Sequence, residues 1–115
     1  MIAMRPIDEE DVIGVLNNGR FSGDIDGYVI MNGAEYLGFA LYRINDEVTT
    51  VLDTDISDNL LVDGIIRACV AAGERQGTAL FDISEENPNL DKWRRVFCKN
   101  LSAPYKNEII FHECK

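Results

Sequence analysis

Three carboxylates lie close together in the middle of the chain, at Asp53, Asp55 and Asp58. Asp53 and Asp55 are two residues apart, so in a β-strand their side chains would project from the same face. Asp58 follows at the start of a predicted helix. Carboxylates grouped in this way could bind a cation or act as a general base. They could also be a solvated strand end followed by a helix cap, which we favour because no spacing here matches a calcium-binding loop.

Other side chains with reactive chemistry are few. The single histidine, His112, excludes a multi-histidine metal site and an HExxH motif. Cys98 lies beside Lys99, which could lower the pKa of a thiol, but its place in an amphipathic helix favours a buried structural cysteine. The GxGxxG and GxxxxGK[ST] motifs of dinucleotide and nucleotide binding are absent. We therefore predict no metal site.

Composition restricts the partners. The chain has 115 residues and a formal net charge of −9, from 20 acidic and 11 basic side chains. That length predicts one domain over residues 1–115. Nucleic acid and anionic membranes are disfavoured as partners, because both are bound mainly through Lys and Arg. No apolar run is long enough to span a membrane and no signal peptide is recognisable, so we expect a cytoplasmic protein with reduced cysteines.

Hydrophobic periodicity predicts an α/β (α+β) domain with a central mixed sheet and the order β-α-β-β-β-α-β-α-β. An Asn-Gly pair between two apolar runs is typical of a hairpin. A strand, a long helix and a strand over residues 48–83 predict a crossover with parallel pairing. The predicted strands are Met4 to Ile7, Tyr28 to Met31, Leu37 to Tyr42, Val48 to Ile56, Thr78 to Ile83 and Glu108 to His112. The predicted helices begin near Asp8, Asp58 and Asn87, and Arg20 to Gly27 is a predicted loop. We expect Asp8 to cap the first helix and Ser57 or Asp58 to cap the second.

This order of elements resembles that of the GNAT-type N-acetyltransferase superfamily over residues 4–115. The motifs that carry the resemblance are Arg5-Pro6 at the start, Tyr36-Leu37-Gly38 in the meander and Glu74-Arg75-Gln76-Gly77 at the end of the long helix. The resemblance implies that acetyl-CoA pyrophosphate would bind at the N-terminus of the long helix, where free N–H groups and the helix dipole attract phosphate. It also implies a catalytic tyrosine in the last helix.

The chain departs from the family's phosphate-binding loop, whose pattern is Arg/Gln-x-x-Gly-x-Gly/Ala. Aligned on Gly77, the basic position falls on Ser57 and the two glycine positions fall on Leu60 and Val62. Bulky side chains obstruct close approach of the backbone, and the neighbouring carboxylates repel a diphosphate. The family's tyrosine is replaced by Val96. We therefore expect a GNAT-like domain that does not use acetyl-CoA in the ordinary way.

Two main functions follow from this comparison. The first is a binding or interaction module for a small molecule or a protein, without a cofactor. The alternative is an active N-acetyltransferase with an atypical acetyl-CoA site, acting on a small cationic amine. A third interpretation is a homodimer that associates through exposed strand edges. For the active enzyme, the candidate residues are Asp53 or Asp55 as base and Tyr105 as acid, with Thr54, Ile56, Ser57 and Asn59 as cofactor contacts.

Overall fold

The computed structural model describes residues 1–111, which form an α+β domain around one six-stranded mixed sheet. Within these residues, no helix is both long enough and apolar enough to cross a membrane. The elements are β1 (Ile2–Pro6), α1 (Glu10–Asn17), β2 (Ile25–Asn32), β3 (Glu35–Asn45), β4 (Val48–Thr54), α2 (Asn59–Arg75), β5 (Leu80–Ile83), α3 (Pro88–Phe97), β6 (Tyr105–Lys106) and α4 (Glu108–Phe111).

The strands lie in the sheet in the same order as in the chain, from β1 to β6. Neighbouring strands are antiparallel except for β4 and β5, which pair in parallel across α2. The predicted crossover with parallel pairing is therefore confirmed. The predicted hairpin is confirmed too, because Asn32 pairs with Glu35 and Gly33 takes the positive φ of 64° that this tight turn requires.

The two faces of the sheet are covered differently. The first face packs against α2 and α3 and contains the main core, in which Ile30, Val51 and Phe81 are fully buried. The second face is covered in part by α1. On that face Leu41 is also fully buried, whereas α1 itself contains no buried residue. The second face is therefore the less completely covered of the two.

Helix α2 approaches the sheet closely near its C-terminal end. Gly73 lies directly over Thr49 of β4 and beside Thr78. The hydroxyl groups of these two threonines are buried and hydrogen-bonded to each other at 2.7 Å. A side chain at position 73 would occupy the space of the Thr49 hydroxyl, so glycine sets the distance between helix and sheet.

Two predictions near the N-terminus are wrong. The predicted loop from Arg20 to Gly27 is shorter, because β2 already begins at Ile25, which pairs with Arg43 in the long strand β3. The predicted cap at Asp8 is also wrong. The residue in the N-cap position of α1 is Glu9, and its side chain makes no capping hydrogen bond.

The predicted strand from Glu108 to His112 is wrong as well. The last strand is the two-residue β6, and Glu108 begins the short helix α4. Asn107 explains the difference, because its carbonyl oxygen accepts hydrogen bonds from the N–H groups of Ile110 and Phe111 and so closes a helical turn. His112 lies outside the described residues.

Candidate functional site

Asp53 connects three elements of the fold through hydrogen bonds. One carboxylate oxygen accepts a hydrogen bond from Arg20 at 2.7 Å, and the other accepts one from the side-chain amide of Asn87 at 2.9 Å. Arg20 also donates to the carbonyl oxygens of Leu16 and Asn17 in the last turn of α1. Asp53 therefore joins the end of α1 and the start of α3 to β4, and both of its oxygens have internal partners.

Asp55 holds the segment after β4 against β3. Its Oδ1 accepts a hydrogen bond from the backbone N–H of Phe39 at 2.9 Å, and its Oδ2 accepts one from the Tyr36 hydroxyl at 2.6 Å. Burial and the neighbouring carboxylate raise the pKa of Tyr36 above its ordinary value, so the phenol keeps its proton and donates it. Gly38 allows the segment after β4 to lie this close to β3, because a Cβ at position 38 would collide with the Ile56 side chain.

Asp58 is the N-cap of α2, as predicted. Its Oδ1 accepts hydrogen bonds from the N–H groups of Leu60 at 2.9 Å and Leu61 at 3.1 Å. These are among the free N–H groups with which a helix N-terminus binds phosphate. The chain's own carboxylate already occupies them.

The three aspartates therefore do not converge on one point. Each has its own partners: Arg20 and Asn87, then Tyr36 and Phe39, then the first turn of α2. No group of three or more His, Cys, Asp or Glu side chains in residues 1–111 is arranged to hold a metal ion. The geometry corresponds to the strand-end and helix-cap interpretation of the cluster.

The residues predicted to contact acetyl-CoA are also engaged internally or lie apart. The Thr54 hydroxyl donates to the Phe39 carbonyl at 2.6 Å and accepts from the Ile56 N–H at 3.1 Å. The Thr54 carbonyl accepts from Asn87 at 2.9 Å. Two backbone groups of the segment that would align pantetheine in the active-enzyme hypothesis, the Thr54 carbonyl and the Ile56 N–H, are thus already hydrogen-bonded. Ser57 and Asn59 are exposed at the start of α2.

Tyr105, the predicted acid, lies away from the aspartates. It is buried in β6, where it pairs with Phe81 and its ring centre is 5.4 Å from that of Phe81. Phe81 pairs in turn with Thr49, which precedes Asp53 by four residues in β4. Four residues of a strand span about 13 Å. The structure therefore does not bring Tyr105 together with Asp53.

The sequence did not indicate a cleft that opens between α1 and the second face of the sheet. Its volume is about 500 Å³. Most of its walls are apolar, and Arg5 is the one basic residue among them. The lining residues are Arg5, Pro6, Ile7, Asp8, Glu9, Val12, Leu16, Val29, Met31, Tyr36 and Phe39.

Tyr36 and Arg5 bring polar groups to the wall of this cleft. Tyr36 lines it and donates to Asp55, so Asp55 is hydrogen-bonded directly to a residue of the cleft wall. Arg5 is exposed and has no salt-bridge partner within residues 1–111. The sequence signal for this cleft is the apolar side of α1, where Val12 and Leu16 lie four residues apart and both line the cleft.

Comparison of the chain with protein-family models, with curated proteins and with solved structures gives no match in any of the three. The resemblance to N-acetyltransferases therefore stays a prediction that rests on sequence motifs.

Proposed function

We propose that this chain is a binding domain that does not use acetyl-CoA, and that the cleft between α1 and the second face holds a small molecule. The observation that carries the proposal is the pairing of an apolar cleft with the charged group of Arg5, which has no salt-bridge partner within residues 1–111. The ligand we expect has an apolar body and a single negative charge.

Two sets of hydrogen bonds support the proposal that the chain does not use acetyl-CoA. The Asp58 carboxylate occupies the helix N-terminus at which a pyrophosphate would bind, and it also repels phosphate by its charge. Asn87 bridges Asp53 and the Thr54 carbonyl at the end of β4. A pyrophosphate at this helix N-terminus would have to displace the Asp58 carboxylate from the N–H groups of Leu60 and Leu61.

The dimensions and lining of the cleft support a small organic ligand. Binding sites for such molecules measure about 300–1,000 Å³ and have mainly apolar walls with a few polar groups. The cleft falls in this range at about 500 Å³. Asp8 and Glu9 also line it, which disfavours a ligand with several negative charges, whereas Arg5 can bind one carboxylate or sulfonate.

A fluorescent probe tests the cleft. Anilinonaphthalene sulfonate has an apolar body and one negative charge, and it becomes brighter when it leaves water. We expect saturable binding to the native chain and at least about tenfold weaker binding to Val12→Trp, because the indole would fill the cleft. Val15→Trp is the matched control, since Val15 lies on the same helix, is 77% exposed and does not line the cleft. Equal binding to both variants would contradict the proposal.

Calorimetric titration tests the cofactor separately. We expect no heat of binding with acetyl-CoA at concentrations up to about 1 mM, which corresponds to a binding free energy weaker than about −4 kcal/mol. Micromolar affinity, or acetyl transfer to any amine of a broad panel, would favour the alternative of an active N-acetyltransferase.

A further inference from the structure

The positive charge of the chain is concentrated around α3. Residues 88–101 contain four of the chain's 11 basic side chains and one of its 20 acidic ones. The acidic one, Asp91, is already paired with Arg94 at 2.6 Å and with Arg95 at 2.9 Å. Lys92 and Lys99 are exposed and have no salt-bridge partner within the described residues. A cationic surface therefore lies on a strongly acidic protein.

An apolar groove lies beside these charges. Its volume is about 160 Å³, and it lies between the first turns of α2 and the exposed side of α3. Val96, which is 66% exposed, and Phe97 line it together with the buried Trp93. Phe97 is fixed in place, because its ring stacks on Trp93 at 4.8 Å and faces the guanidinium of Arg67 at 5.7 Å.

We propose that α3 docks an acidic segment of another protein, with one apolar side chain of that segment in the groove. Charge complementarity supports this occupant, because Lys92 lines the groove and Lys99 lies two residues beyond Phe97. The start of α2 carries the Asp58 carboxylate and is not part of this cationic surface. The size of the groove agrees with it too. A volume of about 160 Å³ is below the usual range for a small-molecule site, but it can accept one anchoring side chain.

Other occupants fit the charges less well. Nucleic acid and anionic membranes would meet the long-range repulsion of a chain with net charge −9, whereas a short peptide meets mainly the local cations. A second copy could place its acidic α1 on α3, and a sedimentation measurement distinguishes this occupant from a separate acidic segment.

Fluorescence anisotropy tests the docking. The probe is a labelled helical peptide of Glu and Asp with Leu and Phe along one face, and a second peptide has Lys in place of every acidic residue. We expect saturable binding of the acidic peptide alone, weakening as salt is added. The variant Lys92→Glu should bind about threefold to tenfold more weakly, whereas Lys106→Glu, which reverses an equally exposed lysine on β6, should bind like the native chain.

Two substitutions test the apolar part of the surface, and a third serves as their control. Phe97→Ala should weaken binding at least about tenfold, because a fixed aromatic side chain in a groove is a typical hot spot. Val96→Ala should weaken peptide binding less. Val15→Ala should leave peptide binding unchanged, because Val15 is an exposed valine on α1, away from α3 in the sequence. Circular dichroism melting of each variant establishes that it is folded at the temperature of the assay.

Three results would overturn the inference. The first is no saturable binding of the acidic peptide, and the second is equal binding after Lys92→Glu and Lys106→Glu. The third is a different occupant: sedimentation that shows self-association lost in Lys92→Glu would assign the surface to a second copy. Co-sedimentation with phosphatidylserine vesicles in the absence of peptide binding would assign it to a membrane.

Discussion

The close approach of α2 to the sheet makes opposite predictions for two helical glycines. An added Cβ at Gly73 would overlap the hydroxyl of Thr49, and it would lie 2.8 Å from the Thr78 hydroxyl and 2.9 Å from the Thr49 Cβ. An added Cβ at Gly14 in α1 would meet nothing within 4 Å. Both glycines lie inside helices, where alanine is intrinsically the better residue.

The expected magnitudes follow from these contacts. Alanine in place of helical glycine stabilises a protein by about 0.5–1 kcal/mol, which is the full effect we expect for Gly14→Ala. At Gly73 the same gain is opposed by overpacking, which costs about 1–3 kcal/mol. Displacing Thr49 would also break its buried hydrogen bond with Thr78, at about 1–3 kcal/mol. We therefore expect Gly73→Ala to lower the free energy of unfolding by about 1–5 kcal/mol.

Urea denaturation followed by tryptophan fluorescence measures both effects, since the chain has one tryptophan and Trp93 is buried. The slope of the unfolding free energy with urea should stay the same, so that only the midpoint moves. The double variant Gly73→Ala, Thr49→Ala should recover part of the loss, because it removes the overlapping hydroxyl. The reasoning is refuted if Gly73→Ala is as stable as the native chain.

Three further predictions concern the site and the core. Asn87→Ala removes the cap of α3 and both bonds to β4, and should destabilise the domain by about 2–4 kcal/mol in the same urea assay. Asp58→Ala should cost about 1 kcal/mol, whereas Asp58→Ser, which keeps a capping oxygen, should cost only a few tenths; equal losses would show that the cap is unimportant. Burial raises the pKa of the Cys98 thiol from 9.0 to about 11, so its contribution to stability is complete below pH 9 and is lost as the pH rises toward 11. Unfolding free energies measured across this window should fall less steeply for Cys98→Ala than for the native chain, and identical slopes would contradict this.

Local signals in the sequence were sufficient for much of the fold. The Asn-Gly turn, the period of α2 and its cap at Ser57 or Asp58 are determined by neighbouring residues. The structure confirms the turn and the helix and identifies Asp58 as the cap. The strand predicted from Glu108 onward is wrong, because three apolar β-formers favour a strand in the sequence, whereas the N–H groups of Ile110 and Phe111 bond to the Asn107 carbonyl in a helical turn.

The candidate site depended on contacts between distant parts of the chain. Asp53 lies 33 residues from Arg20 in the sequence, and Asp55 lies 19 residues from Tyr36. Spacing alone placed the aspartates together, but it could not show which partner each would meet. The cleft is a tertiary feature too, because it depends on how far α1 covers the second face.

The agreement between strand order and chain order has a consequence during synthesis. Strands β1 to β4 can pair as soon as they leave the ribosome, since each neighbour in the sheet has just been made. The outer edge of β4 has no partner until Leu80–Ile83 follow, and an unpaired apolar edge invites aggregation. In that interval α2 has already emerged, and its apolar side can fold onto the first face. We therefore expect the long helix to protect the unfinished sheet before the parallel strand completes it.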